Sequence, residues 1–160
     1  MPRARLLPVA AVAAVAVVIV DQASKLWATQ ALPPNGGQLV AVPGWLWFRL
    51  LKNTGGTFSL LRNHNLLFIG ASLLILVAIA FLLGRGSLSH PVSAIALGAI
   101  FGGALGNVID RIRLAGVVDF IQVRWWPTYF NLADVAIRLG VLVFLAVLLF
   151  DQAARHRRPG

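Results

Sequence analysis

Residues 92–109 read VSAIALGAIFGGALGNVI, an unbroken uncharged run that ends directly before Asp110. About 20 apolar residues in helical conformation cross the hydrocarbon core of a bilayer, so this stretch predicts a membrane-spanning helix. Gly98, Gly102 and Gly106 recur at every fourth position and therefore share one face of that helix. Because small residues at this spacing let two membrane helices pack closely, we interpret them as a packing face.

Three further apolar stretches flank this one, at residues 6–28, 66–83 and 132–150. Hydrophobic residues make up 59% of the 160-residue chain and charged residues 12%, whereas soluble domains are about 45–50% apolar and about 25% charged. This composition excludes an ordinary soluble domain. The sequence predicts an α-helical polytopic membrane protein with four transmembrane helices, folded as a single membrane-embedded domain over residues 1–160.

The first stretch is polar at its far end, where Asp21 and Lys25 follow an Ala- and Val-rich run. Two arginines before such a run are also typical of a cleaved secretory signal sequence, which is the alternative interpretation. However, Asp21 precedes Lys25 by four residues, the favourable order for an ion pair on one helical face. Trp27 then follows at a position typical of the membrane interface, and we interpret residues 6–28 as the first span.

Four spans place both termini on the same side of the membrane. The tails and the short 84–90 turn are densely basic, with Arg3, Arg5, Arg85, Arg155, Arg157 and Arg158. Basic residues in short loops mark the cytoplasmic side of a membrane protein. The sequence therefore predicts cytoplasmic termini and long loops on the outer side.

The first long loop, residues 29–64, contains several prolines and glycines that predict turns. A β-prone, apolar run follows these turns at residues 45–51, and residues 117–130 combine a second β-prone run with Trp125, Trp126 and Tyr129. Strands and interfacial aromatic residues fit this composition. We expect a small extracytoplasmic β-sheet that forms a cradle at the membrane surface.

Acidic residues are scarce: the chain has no Glu and five Asp, namely Asp21, Asp110, Asp119, Asp134 and Asp151. Given the predicted topology, the first four lie at the outer ends of spans or in the outer loop between them. Ionisable groups at membrane depth are costly and are functional candidates by default. The chain has no Cys and its three His are widely separated, so thiol chemistry and a metal site have no support. We expect no cofactor and no nucleic-acid partner.

Each acid also has a purely structural interpretation. Asn131 lies three residues before Asp134, which is the spacing of a helix N-cap, and Arg138 lies four residues after it as a candidate ion-pair partner. Asp110 is equally typical of a solvated helix end. Asp119 lies between apolar neighbours in a β-prone segment, where burial would raise the pKa of its carboxyl group.

Polar residues that lipid would not favour lie near these acids. Asn107 and Arg111 share a helical face at a spacing of four residues. Asn53 opens the segment NTGGTF, and Gly55 within it permits a turn with close backbone approach. These residues are candidates for the same site as the acids.

Taken together, five segments resemble the motifs of the lipoprotein signal peptidases, the type II signal peptidases of bacteria. In family order they are DQASK at residues 21–25, NTGGTFS at 53–59, GGALGNVIDR at 102–111, GVVDFI at 116–121 and FNLAD at 130–134. The resemblance covers most of the chain. It implies an intramembrane aspartyl endopeptidase of the bacterial cytoplasmic (inner) membrane, without a metal or other cofactor, whose active site lies near the outer face.

The resemblance also implies roles for particular residues. Asp119 and Asp134 match the catalytic pair of the family. The residues that match supporting or substrate-lining positions are Asp21, Lys25, Asn53, Asn107, Asp110, Arg111 and Asn131, and we add Gly55 because of its turn. The implied substrates are diacylglyceryl-modified prolipoproteins, cut before the lipidated cysteine, and the implied partners are these precursors and membrane lipid.

The chain departs from the family pattern at a few positions. Val135 follows the last Asp where a small or hydroxylated residue is common, Gly56 and Thr57 replace small residues such as Ala, and Arg138 is an unexpected charge. Two alternatives to the peptidase remain at this stage. One is a small transporter or proton or cation pathway that uses buried Asp residues, and the other is an enzyme that uses Ser24 and Lys25.

Overall fold

The computed structural model describes residues 6–33, 36–55, 64–86, 88 and 90–156. Within them the chain forms four helices and three strands: α1 (Leu6–Ala31), β1 (Leu39–Val42), β2 (Leu46–Asn53), α2 (Asn65–Gly84), α3 (Pro91–Leu114), β3 (Val117–Val123) and α4 (Leu132–His156). Residues 56–59 of the second motif, including the departures at Gly56 and Thr57, lie outside the described residues, as do the terminal Arg3, Arg5, Arg157 and Arg158.

All four helices are long and apolar enough to cross a membrane, which confirms the prediction of four such helices. Three of them run at least three residues beyond the predicted ends: α1 continues from residue 28 to Ala31, α3 from residue 109 to Leu114, and α4 from residue 150 to His156. Each prediction ended just before a polar residue. Helix α3 continues through Asp110 and Arg111 because both side chains have partners inside the protein.

The central helix of the bundle is α3, which packs against α1, α4 and α2. A Cβ atom added to Gly98 would collide with the carbonyl oxygen of Ala10, and one added to Gly102 with that of Ala14. The glycines therefore let the backbones of α1 and α3 touch, which confirms the predicted packing face. By contrast, α2 is largely uncovered, with Leu66 82% and Leu74 71% exposed, as expected of a lipid-facing helix.

The sheet has the order β1-β2-β3 with both pairs antiparallel. Strands β2 and β3 confirm the two β-prone runs, whereas β1 was not predicted because four residues are too few to show an alternating pattern. Gly44, at φ +74°, makes the turn between β1 and β2. Such a backbone conformation favours glycine.

The sheet is joined to α3 by a very short connection. Ala115 has a left-handed conformation, φ 53°, and its N–H donates to the carbonyl oxygen of Arg111, so β3 begins two residues later. Antiparallel pairing then sets Asp119 opposite Leu51 of β2. The sheet packs on the end of α1 through a cluster that includes Ala28 and Phe120. This arrangement returns β3 over the end of α3.

Candidate active site

The carboxyl groups of Asp119 and Asp134 line the same cavity, which has a volume of about 760 Å³. Asp119 comes from β3, and Asp134 from the first turn of α4. Asn107 and Arg111 of α3 also line this cavity. The structure thus brings together residues that the sequence placed in one candidate site.

Two asparagine side chains connect the two carboxyl groups. Asn131 Nδ2 donates to Asp119 Oδ1 at 2.7 Å and to Asn107 Oδ1 at 3.2 Å. Asn107 Nδ2 in turn donates to Asp134 Oδ1 at 2.9 Å. Meanwhile, Asn131 Oδ1 accepts the backbone N–H of Asp134 at 2.9 Å, so the predicted N-cap is confirmed. A single buried amide therefore both caps α4 and contacts Asp119.

Asp119 is the most enclosed member of the pair, with only 1% of its surface exposed. Its Oδ2 accepts from Asn53 Nδ2 at 2.9 Å, and Asn53 Oδ1 accepts the Gly55 N–H at 3.0 Å. The turn at Gly55 thus fixes the orientation of Asn53. Burial is the larger cause, and the negative charge of Asp134 the smaller one, that together raise the pKa of Asp119 to about 7. The sequence predicted this upward direction.

Behind the cavity lies a buried ion cluster centred on Lys25. Its Nζ is 2.7 Å from Asp21 Oδ2, 2.9 Å from Asp110 Oδ2 and 3.0 Å from Asn107 Oδ1. Because a lysine ammonium can only donate, it fixes which end of the Asn107 amide is the oxygen. The amide nitrogen is then directed at Asp134.

The two acids of this cluster each hold the backbone next to a member of the pair. Asp21 Oδ1 accepts the N–H of Ala133 at 2.9 Å, directly before Asp134. Asp110 Oδ2 accepts the N–H of Val118 at 3.1 Å, directly before Asp119. Asp110 is 3% exposed, so its interpretation as a solvated helix end is wrong.

The two arginines of the cavity are held differently. Arg111 lies 3.5 Å from the carbonyl oxygens of Asn107 and Gly55, with its guanidinium over the Phe68 ring. The guanidinium of Arg138 instead lies over two aromatic rings, described further below. It forms no ion pair with Asp134, so that predicted pairing is wrong.

The structure also decides between the alternatives. Ser24 Oγ donates to the carbonyl oxygen of Asp21 at 2.8 Å, and Lys25 is held between two carboxylates, so a Ser–Lys mechanism has no free base. The buried charged side chains among the described residues all lie at this end of the bundle, namely Asp21, Lys25, Asp110 and Asp119. Such a distribution does not form a pathway across the membrane.

One contributor was missed by the sequence analysis. Gln22 Nε2 donates to Asp110 Oδ1 at 3.0 Å and approaches Asp21 Oδ2 and the Gly106 carbonyl oxygen, both at 3.3 Å. Its place beside Asp21 at the end of an apolar span was the available indication. A polar residue there needs a buried partner.

Comparison with known proteins shows which family this chain resembles. The model of the signal peptidase (SPase) II family matches residues 13–150. The lipoprotein signal peptidase of Symbiobacterium thermophilum is 35% identical over 145 residues, which cover 88% of this chain and 95% of the relative. That of Nitratidesulfovibrio vulgaris is 39% identical over 154 residues and covers 90% of both chains.

The fold also matches solved structures. A bacterial membrane enzyme solved at 2.3 Å by the in meso method superposes with a TM-score of 0.83 and 27% identity, over 94% of this chain and 93% of that one. A second, solved at 1.9 Å, gives a TM-score of 0.79 and 29% identity, over 88% and 92% of the two chains. Since the family model covers most of the sequence and the membrane fold agrees, this chain belongs to the signal peptidase II family of aspartic peptidases.

Proposed function

We propose that this multi-pass bacterial membrane protein removes the signal peptide from diacylglyceryl-modified prolipoproteins, cutting before the lipidated cysteine, with Asp119 and Asp134 as its catalytic pair. Family membership supports signal-peptide cleavage from prolipoproteins as the general activity. One observation carries the assignment of the pair: the two carboxyl groups share a cavity and are joined through Asn107 and Asn131.

The pair shares one proton, because two neighbouring carboxyl groups do not both ionise at low cost. Burial favours Asp119 as the proton-bearing member, since the pKa of its carboxyl group is about 7. Asp134 then accepts a proton from water, and the resulting hydroxide attacks the scissile carbonyl carbon. At the same time Asp119 donates its proton to the carbonyl oxygen.

The tetrahedral intermediate collapses by the reverse transfers. Asp134 passes the proton that it took from water to the amide nitrogen, and the carbon–nitrogen bond breaks. Asp119 recovers a proton from one hydroxyl of the intermediate as the new carboxyl group forms. In this scheme the amides of Asn107, Asn131 and Asn53 act as preorganised donors that hold the two carboxyl groups during turnover.

The rest of the cavity suits a lipid-modified peptide. Apolar side chains from three helices, Ile75, Ile100, Ile137 and Val141, line it beyond the carboxyl groups. Acyl chains can pack against such an apolar surface without taking a polar group of the protein out of water. We place the site near the outer face of the membrane and both termini in the cytoplasm, from the basic residues of the tails and the 84–90 turn.

The test uses purified protein with a lipid-modified and an unmodified precursor. Asp119→Asn and Asp134→Asn should each lower kcat for the lipidated precursor by about a hundredfold or more, because each removes an acid–base group. Asp151→Asn, at the other end of α4, is the matched control and should cleave normally. Robust processing by either site variant would exclude the pair, and cleavage of the unmodified precursor would exclude lipid recognition.

A further inference from the structure

Arg138 is the only charged residue of the sequence between Asp134 and Asp151. It lies four residues after Asp134 on α4, inside a membrane-spanning segment, and lines the same cavity. Placing a guanidinium at this depth is costly, so an arginine here calls for a binding partner. The catalytic scheme above gives it no role.

Two aromatic rings hold the Arg138 guanidinium. It lies 4.8 Å from the centre of the Trp126 ring and 5.5 Å from that of Phe130. A cation–π contact uses no hydrogen-bond acceptor, so the five N–H donors of the guanidinium remain available. Among the described residues, no carboxylate or carbonyl oxygen accepts from these donors. In contrast, Arg111 in the same cavity is already directed at two carbonyl oxygens.

The lining residues follow a definite order along α4. The carboxyl group of Asp134 comes first, Arg138 follows about 6 Å further along the helix axis, and Ile137 and Val141 supply an apolar surface beside and beyond it. A diacylglyceryl-modified cysteine has its groups in the same order: the scissile peptide bond, the glyceryl ester carbonyls, and then the acyl chains. The ester oxygens are pure acceptors, which suits a donor-only guanidinium.

The charge of the site favours a neutral acceptor over an anionic one. The catalytic pair carries one negative charge in its reactive form, so a phosphate or carboxylate beside Arg138 would face repulsion from it. An ester carbonyl accepts hydrogen bonds without adding charge.

We propose that Arg138 donates hydrogen bonds to the ester carbonyl oxygens of the substrate's diacylglyceryl group and so makes this enzyme selective for ester-linked lipid. This inference rests on the proposed function, since it concerns the lipid part of the same substrate. Arg138 acts as a specificity residue, and no bond forms or breaks at it.

The experiment compares two precursors that differ only in their lipid linkage, diacyl ester or dialkyl ether with equal chain lengths. For the wild-type enzyme in detergent, kcat/KM should be about tenfold higher for the ester, mainly through KM, because hydrogen bonds to a charged donor are lost with the ether. Arg138→Met should cleave both at the rate that the wild type shows for the ether. The exposed Arg113→Met is the matched control and should keep the preference.

Equal kcat/KM values for the two precursors with the wild type would overturn the inference, as would an unchanged ester preference in Arg138→Met. If Arg138→Met does not fold, as judged by thermal unfolding, Arg138→Lys replaces it and should show a reduced preference; an undiminished one overturns the inference. Assays with added ester or ether phospholipid form a further arm: a preference that follows the added lipid instead of the substrate also overturns it. Failure of the wild type to cleave either precursor would instead overturn the proposed function.

Discussion

At the scale of single residues, Lys25 is the most constrained cation of the site. It is 3% exposed and lies within 3.0 Å of oxygens from Asp21, Asp110 and Asn107. Without it, two carboxylates would be buried with no compensating charge, and the Asn107 amide would lose the contact that fixes its orientation. We therefore expect Lys25 to be a positioning residue that acts on Asp134 through Asn107.

We expect Lys25→Met to destabilise the protein by about 3–5 kcal/mol, since breaking a buried ion pair strands its partners. Any folded fraction should also cleave the lipidated precursor more slowly, because Asn107 no longer holds Asp134. Thermal unfolding in detergent and kcat measure the two effects. Lys52→Met, at an exposed position of β2, should change neither. Wild-type stability of Lys25→Met would show that the ion cluster is not needed.

Activity should depend on pH through Asp119, because the proposed scheme requires its protonated form. The pKa of Asp119 is raised to about 7 by burial and by Asp134, so the proton is lost as the pH rises through that value. We predict that kcat/KM falls above a pH of about 7, approaching tenfold per pH unit. A rate that stays flat to pH 9 would contradict this assignment.

Stability should follow the same group. A carboxyl group whose pKa is higher in the folded protein binds its proton more tightly there than in the unfolded chain. Its contribution to the free energy of unfolding is therefore fully present below a pH of 3.8, the pKa in the unfolded chain. That contribution is lost as the pH rises towards about 7, the pKa in the folded protein. The stability of the wild type relative to Asp119→Asn should therefore decline between these limits. Thermal unfolding of both proteins across this range measures the difference, and a constant difference would exclude the raised pKa.

At the scale of elements, α3 organises the site because it contacts α1 on one side and α4 on the other. The first contact depends on close backbone approach at Gly98 and Gly102. Gly106 continues the same face, where an added Cβ would lie 2.5 Å from Asp21 Oδ2. One row of small residues thus leads from helix packing directly to the ion cluster.

We predict that Gly102→Ala lowers stability by about 1–3 kcal/mol, the usual cost of overpacking. Its Cβ would lie 2.9 Å from the Cα of Ala14, so α1 has to move away from α3. Gly70→Ala is the matched control, because nothing lies within 4 Å of its added Cβ on α2. That control should unfold at the same or a higher temperature, since Ala favours helix over Gly. Equal unfolding temperatures for Gly102→Ala and the wild type would contradict close packing.

At the scale of the whole molecule, the sequence predicted four helices of membrane-spanning length because a long apolar run is recognisable from composition alone. It also predicted which acids meet, because topology places their helix ends at one level. It did not predict the partners of Asp110, since Lys25 and the Val118 N–H reach that carboxyl group only after distant segments have packed. The stacking of Arg138 on Trp126 was likewise hidden, because spacing along the chain favoured Asp134 instead.

The proposed orientation can be tested because the chain has no cysteine. Single variants Arg124→Cys, in the turn after β3, and Gly84→Cys, at the end of α2, lie at exposed positions at opposite ends of the bundle. In intact cells whose outer side is accessible to the reagent, a membrane-impermeant maleimide should label Arg124→Cys and leave Gly84→Cys unlabelled. The reverse pattern would place the termini outside.

The two anchoring contacts of Asp21 and Asp110 have a consequence for biosynthesis. The first of these contacts joins residues that are far apart in the chain. Asp21 accepts from the Ala133 N–H, 112 residues later, and Asp110 accepts from the Val118 N–H. In a nascent chain whose helix α4 has not yet entered the membrane, Asp134 is not in the site. Asp21 then has no hydrogen bond from the Ala133 N–H. With Asp134 as a catalytic residue, as proposed, such a chain cannot yet cleave its substrate, so activity should begin only after α4 has been inserted.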